Sequence, residues 1–271
     1  MIGWREIFRS RRGTTKDEMM TQGQASRPTL DIWDAEIAGW FNHETGEVFK
    51  GLRITSDDVV LDVGCGDGGT AGFCATRGAA IMLTDADPQR VAAAERNLAS
   101  LSARSVQAVV SDSNPLPFPD GVASVVVSTE VIEHVEDPAV FLKELVRVGK
   151  PGARYLLTVP DPVGEKLQKT LAPPSYFERP NHIRIIERDE FAAMVEAAGL
   201  IVESRGSYGF YWSMWWMFFW ACHVDLGQSH PLLDSWKQTW TALLETDDGE
   251  KIKKVFDAFM PKSQLIIARK P

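Results

Sequence analysis

Val59-Val60-Leu61-Asp62-Val63-Gly64-Cys65-Gly66-Asp67-Gly68-Gly69 is the stretch that decides the fold of this chain. A short apolar run enters a turn made of glycines, and a helical pattern follows. Such a run reads as a strand buried on both faces, as in a parallel sheet covered by helices. Gly64 and Gly66 let the backbone bend sharply and approach a ligand with no Cβ in the way. The helix start beyond them offers unpaired N–H groups to an anionic group such as a carboxylate. The spacing is Gly-x-Gly-x-Gly. Gly69 also supplies the Gly-x-Gly-x-x-Gly of nicotinamide sites, where the turn would hold a pyrophosphate. Taken alone, the turn serves equally well as a plain link between strand and helix.

Outward from this turn, strand and helix patterns alternate. Residues 80–84, 106–111 and 122–128 read as further buried strands. Asp87 and Pro88 open a helix through Leu98, and Asp137-Pro138 opens one to Val148 that stops at Gly149-Lys150-Pro151-Gly152. Residues 153–159 form a fifth strand, 188–198 a helix, 200–204 a sixth strand and 264–269 a seventh. The alternation predicts an α/β fold, a Rossmann-like doubly wound sheet of seven strands. Four regions follow: a helical N-terminal extension (1–56), a core (57–206), an aromatic-rich helical cap inserted at 207–262, and the final core strand (263–271). The extension carries a helical pattern through Ile32, Trp33, Ile37 and Trp40.

The chain has 271 residues, 44% of them hydrophobic and 24% charged, enough to bury a large core. A net charge of -8 argues against binding nucleic acid through its phosphates, which takes lysine and arginine. Cys65, Cys74 and Cys222 make neither a disulfide framework nor a zinc motif, so free thiols in a reducing cytoplasm are expected. No apolar run resembles a signal peptide. Trp4, Ile7 and Phe8 among Arg5, Arg9, Arg11 and Arg12 form either a basic tail or an amphipathic surface anchor.

The next strand ends in Asp85, about 20 residues past the glycine turn, where a ribose-binding acid is expected. Asp87 is the alternative, although it caps the helix at Pro88. The third strand ends in Ser111-Asp112-Ser113, before Pro117-Phe118-Pro119, and Asp112 can accept from an adenine amino group. At this point the chain resembles the class I S-adenosylmethionine-dependent methyltransferases. The resemblance rests on Leu61–Gly68, Asp85, Ser111-Asp112 with the proline loop, and the Gly149–Gly152 turn, and spans about 57–206 plus the final strand. It implies a last strand antiparallel to the rest. It also implies S-adenosylmethionine held by Asp62, Gly64, Cys65, Gly66, Asp85, Ala86, Asp112, Ser113 and Ser128, with Gly64 and Gly66 beside the methionine moiety.

After the fourth strand comes Ser128-Thr129-Glu130-Val131-Ile132-Glu133-His134. If a helical turn starts here, Glu130, Glu133 and His134 share one face. Two carboxylates and an imidazole suit a hard divalent cation. Pro180-Asn181-His182 falls on the same side of the sheet. The pattern resembles the Glu-x-x-Glu-His of ubiquinone-pathway O-methyltransferases and small-RNA 2′-O-methyltransferases. That resemblance implies Glu130, Glu133, His134 and His182 as ligands of magnesium or manganese. Without metal, Glu130, His134 and His182 remain the candidate catalytic groups, either histidine serving as a general base.

The run Tyr208–Trp220 is apolar on every face, so it must be buried or touch lipid, an apolar ligand or a second copy of the chain. It is too short and too interrupted to span a membrane. Most of it reads as cap core packed by Leu232, Leu233, Trp236 and Trp240, with Tyr208, Tyr211 and Trp212 walling an acceptor pocket. The function expected is methylation, on oxygen, of a small hydrophobic or aromatic acceptor. The competing expectations are a nicotinamide-dependent oxidoreductase and a non-catalytic cofactor-binding module at a membrane or partner surface.

Overall fold

The computed structural model describes residues 28–271; the residues read as a surface anchor, Trp4 to Arg12, lie outside them. The first described element is helix α1 (Leu30–Ala38), which Gly39 ends in the left-handed conformation. The helical reading therefore stops before Trp40. That residue opens a three-stranded antiparallel sheet of β1 (Trp40–Asn42), β2 (Glu47–Phe49) and β3 (Leu52–Arg53).

The main sheet has seven strands: β4 (Val59–Val63), β5 (Ala80–Asp85), β6 (Ser105–Val110), β7 (Ala123–Thr129), β8 (Gly149–Pro160), β9 (Ile201–Tyr208) and β10 (Ser263–Arg269). Their order is β6-β5-β4-β7-β8-β10-β9. The first five pair in parallel, while β10 runs antiparallel to both β8 and β9. Helices α2 (Gly69–Thr76), α3 (Pro88–Leu98), α4 (Pro138–Val148), α5 (Pro162–Gln168) and α6 (Arg188–Ala197) connect these strands. Alternate residues of β4 show why its sequence is apolar apart from Asp62. Val60 packs with Phe73, Ile81 and Val91 on one face, Leu61 and Val63 with Phe141, Leu142 and Phe191 on the other.

The helix starts are the expected ones. Asp87 accepts from the Gln89 N–H, and Asp137 from those of Ala139 and Val140, each with proline at the first helical position. Two further boundaries differ by more than one residue. Gly149 is not a turn after α4 but the first residue of β8, paired with Ala123 across a register shift. A Cβ there would lie 1.9 Å from the Tyr155 hydroxyl, so the close packing of that ring requires the glycine. Strand β9 runs on through Arg205-Gly206-Ser207 to Tyr208. These residues have little strand propensity, but pairing along the whole of β10 carries the strand on.

Between β9 and β10 lie α7 (Phe210–Cys222), α8 (Pro231–Leu244) and α9 (Gly249–Phe259). No residue of 210–220 is exposed, so the aromatic run is chiefly packed inside protein. A buried polar cluster joins these helices to α1. The Lys253 ammonium sits 2.5 Å from Asp257 and 3.3 Å from Asp34, which also accepts from the Trp240 indole N–H. Asp257 further accepts from the N–H groups of Gly209 and Phe210, fixing the start of α7. Among the described residues no helix is long and apolar enough to cross a membrane.

Candidate active site

The parallel strands β4, β5 and β7 end on one edge of the sheet, and their ends carry the first group of site residues. Gly64, at φ 75°, passes so close to the next loop that a Cβ would stand 2.3 Å from Val131 Cγ2. Gly66, at φ 54°, instead faces open space: nothing lies within 4 Å of where its Cβ would be. The turn is a cradle with one wall packed and one wall free.

Asp85 closes the cradle. Its carboxylate is 6% exposed and accepts from the Gly66 N–H (3.0 Å) through one oxygen and the Asp87 N–H (2.9 Å) through the other. Each oxygen keeps a lone pair that a ribose hydroxyl could meet. Asp62 accepts from the Ala71 N–H (3.2 Å), yet its second oxygen is buried without a partner, as is the Ser128 hydroxyl. Burial, with Asp85 adding repulsion, pushes Asp62 up to about 7. Cys65 is buried, and burial raises its thiol, so it packs and does not react. Ala86 and Asp112 are exposed, Ser113 is buried, and Asp112 accepts from the Asn114 N–H (3.1 Å) in a local turn. Such buried unpaired atoms beside an open glycine wall fit a polar ligand such as an adenosyl amino acid.

The second group follows β7. Residues 130–136 form tight turns, not the helix the spacing suggested, and Glu130 stands at φ 56°. This separates Glu130 from the residues it was grouped with. Its carboxylate accepts from the Thr158 hydroxyl (3.0 Å) and from the Lys262 ammonium (2.8 Å). Burial alone would lower Lys262, but Glu130, Tyr176 and Glu165 hold it above the usual lysine range. Lys262 had no sequence signal, since it stands 132 positions from its partner.

Glu133, His134 and His182 do converge, each with one ligand atom within 4.8 Å of the others. Glu133 is 1% exposed and neither oxygen has a hydrogen-bond partner; one lies 3.6 Å from His134 Nε2. His134 Nδ1 meets the carbonyls of Pro180 (3.1 Å) and Asn181 (2.9 Å). Carbonyls only accept, so Nδ1 carries the proton and Nε2 presents a lone pair. Burial and the neighbouring His182 lower His134 to about 4, while burial and Glu130 hold Glu133 well above the carboxylate range. His182 is turned the same way, its Nδ1 2.8 Å from Glu165 Oε2, and the two rings stand 4.9 Å apart.

The two segments are zipped together. Ile183 N–H donates to the Glu133 carbonyl (3.1 Å), and Arg184 donates to the carbonyls of Ile132, Val135 and Glu136. Neither Arg184 nor Glu165 was evident from the sequence, because their partners lie on segments distant in the chain.

Aromatic rings also gather over this centre. Tyr176 lies 4.7 Å from the His182 ring and packs on Trp216 and Trp220 of α7. Tyr208 approaches Glu130, Thr158 and Ser263. Tyr211 stacks on Trp236 and touches Trp240, and Trp212 lies against Trp215, contacts within the cap.

A family profile described as a methyltransferase domain matches residues 61–157. Over 173 residues, 62% of each chain, the protein is 32% identical to a Mycolicibacterium smegmatis protein named "Probable S-adenosylmethionine-dependent methyltransferase". It is 36% identical over 154 residues to the 2-methyl-6-phytyl-1,4-hydroquinone methyltransferase of Synechocystis, covering 52% of this chain and 46% of that one. The match thus spans less than two thirds of either relative. The geranyl diphosphate C-methyltransferase of Streptomyces coelicolor shares the fold, with a TM-score of 0.55 at 17% identity over 89% of this chain and 78% of that one. Sheet order, strand-end residues and sequence match agree that residues 61–157 carry a methyltransferase domain similar to those of S-adenosylmethionine-dependent methyltransferases.

Proposed function

We propose that the protein transfers a methyl group from S-adenosylmethionine to an oxygen of a small, apolar or aromatic acceptor, with a divalent cation at Glu133, His134 and His182. The observation that carries this reading is the buried, unpartnered Glu133 carboxyl converging with His134 and His182 within 4.8 Å, two residues after the Val131 that packs on Gly64. A buried acid with no hydrogen-bond partner, brought this close to two imidazoles, suits a divalent cation in place of its proton. Residues 57–206 with 263–271 act as the cofactor-binding core and 207–262 as the cap.

S-adenosylmethionine supplies an electrophilic methyl on a sulfonium, and a divalent cation lowers the pKa of a bound hydroxyl. The chain's own residues position and shield. Asp85 accepts the ribose hydroxyls, and the free wall at Gly66 admits the ligand. Glu133, His134 and His182 would hold the cation. Tyr176, backed by Trp216 and Trp220, covers the centre and excludes water, which suits a planar acceptor such as the hydroquinone of the Synechocystis relative's name. Glu130 and Lys262 neutralise each other at the edge of the site. Orienting acceptor and donor in line is the main contribution required of the protein.

Protein freed of metal, then assayed with labelled S-adenosylmethionine on a panel of hydroquinones, catechols and aromatic amines, tests this directly. Ether products that need added Mn²⁺ or Mg²⁺ are expected. Full turnover in excess chelator would rule out the metal, and labelled amines alone would rule out oxygen.

A further inference from the structure

We infer that Glu165 is a positioning residue, which fixes the tautomer and ring orientation of His182 so that its Nε2 faces Glu133 and His134. The inference rests on the proposed role of that centre as a divalent-metal site.

The geometry is a buried chain of hydrogen bonds running from the cap to the centre. The Trp220 indole N–H donates to Gln168 Oε1 (3.2 Å), and the Gln168 amide donates to Glu165 Oε1 (3.4 Å). Glu165 Oε2 then accepts from His182 Nδ1 (2.8 Å). Gln168 is 0% and Glu165 1% exposed, so water does not compete for these contacts. Glu165 belongs to the first turn of α5, whose start Asp161 caps by accepting from the Val163 N–H (3.0 Å). Asp161 is in turn held by Arg188 at 2.6 Å. The carboxylate is therefore anchored from both sides.

The ring it holds has little freedom. His134 meets it edge-on and Tyr176 lies across it. An ionised carboxylate can only accept, which places the His182 proton on Nδ1 and leaves Nε2 as the donor atom toward the centre. His134 reaches the same tautomer by a different device, the carbonyls of Pro180 and Asn181. Both imidazoles thus present the same nitrogen, as metal-bound histidines do when their other nitrogen is held by a carboxylate or carbonyl. Glu165 is outside the converging group itself, since its oxygens are engaged by His182 and Gln168. A purely structural ion pair would equally tie α5 to the His182 segment, and only the state of His182 separates the two roles.

Full-length protein labelled with ¹⁵N-histidine, stripped of metal, gives that reading by long-range ¹H–¹⁵N correlation. Wild type should show His182 protonated on Nδ1, and Glu165→Gln, whose amide can also donate, should lose that preference. In parallel, calorimetric titration with Mn²⁺ should show affinity falling about 10–100-fold in Glu165→Gln, with S-adenosylhomocysteine affinity and near-ultraviolet circular dichroism unchanged. A wild-type His182 protonated on Nε2, or equal Mn²⁺ affinity in the two proteins, overturns the inference. Should wild type bind no Mn²⁺, the metal reading fails, and the tautomer measurement still decides the role of Glu165.

Discussion

Asp85→Ala is expected to weaken S-adenosylhomocysteine binding by roughly 100-fold or more. Two ribose hydroxyls donating to one carboxylate make charge-assisted bonds worth about 1.5–3 kcal/mol each. The loss is larger than a ligand contact alone, because the same carboxylate holds the Gly66 and Asp87 N–H groups. Removing it leaves two donors unpaired and loosens the turn that forms the cradle. Asp85→Asn separates the effects. The amide retains one acceptor oxygen, so it should keep part of the turn and lose the charge, giving an intermediate affinity. Calorimetry on the three proteins checks the order; equal affinities would remove Asp85 from the cofactor site.

Glu133→Gln is expected to act in opposite directions on function and stability. It removes the one carboxylate of the three converging groups, so Mn²⁺ affinity should fall by more than about 100-fold, beyond the loss usual for outer partners. The metal-free protein, however, loses a buried carboxylate that has no hydrogen-bond partner. Relieving that cost should stabilise it by about 1–3 kcal/mol, and at about 2–4 °C per kcal/mol for a chain of this size the melting temperature should rise visibly. A group kept at a cost to folding is kept for another purpose. A melting temperature that falls, with metal affinity intact, would show that Glu133 is a structural residue after all.

Features carried by short stretches of sequence were legible. The glycine turn, the buried strands around it, the Asp87 and Asp137 caps and the antiparallel last strand all rest on local patterns or on the family resemblance. The convergence of His134 and His182 was anticipated from chain topology. What the sequence hid depends on distant contacts or on loop conformation. Glu130 left the expected ligand group because a left-handed residue, not a helix, follows β7, and because Lys262 waits beside it. Glu165 and Arg184 act through partners on other segments, so no spacing rule exposes them. The aromatic run has no polar face, which left its pocket-facing edge undetermined. Tyr176, from outside that run, forms the wall next to His182.

In the proposed arrangement an adenosyl cradle and a three-ligand metal centre adjoin at one edge of the sheet. Crystals grown with S-adenosylhomocysteine and Mn²⁺, measured with anomalous scattering, test it most directly. The predicted result is the ligand along Gly64, Gly66 and Asp85, with one anomalous peak bonded to Glu133, His134 Nε2 and His182 Nε2 at about 2.0–2.3 Å. A bound ligand with no peak among those three residues, or a peak elsewhere on the chain, would contradict it.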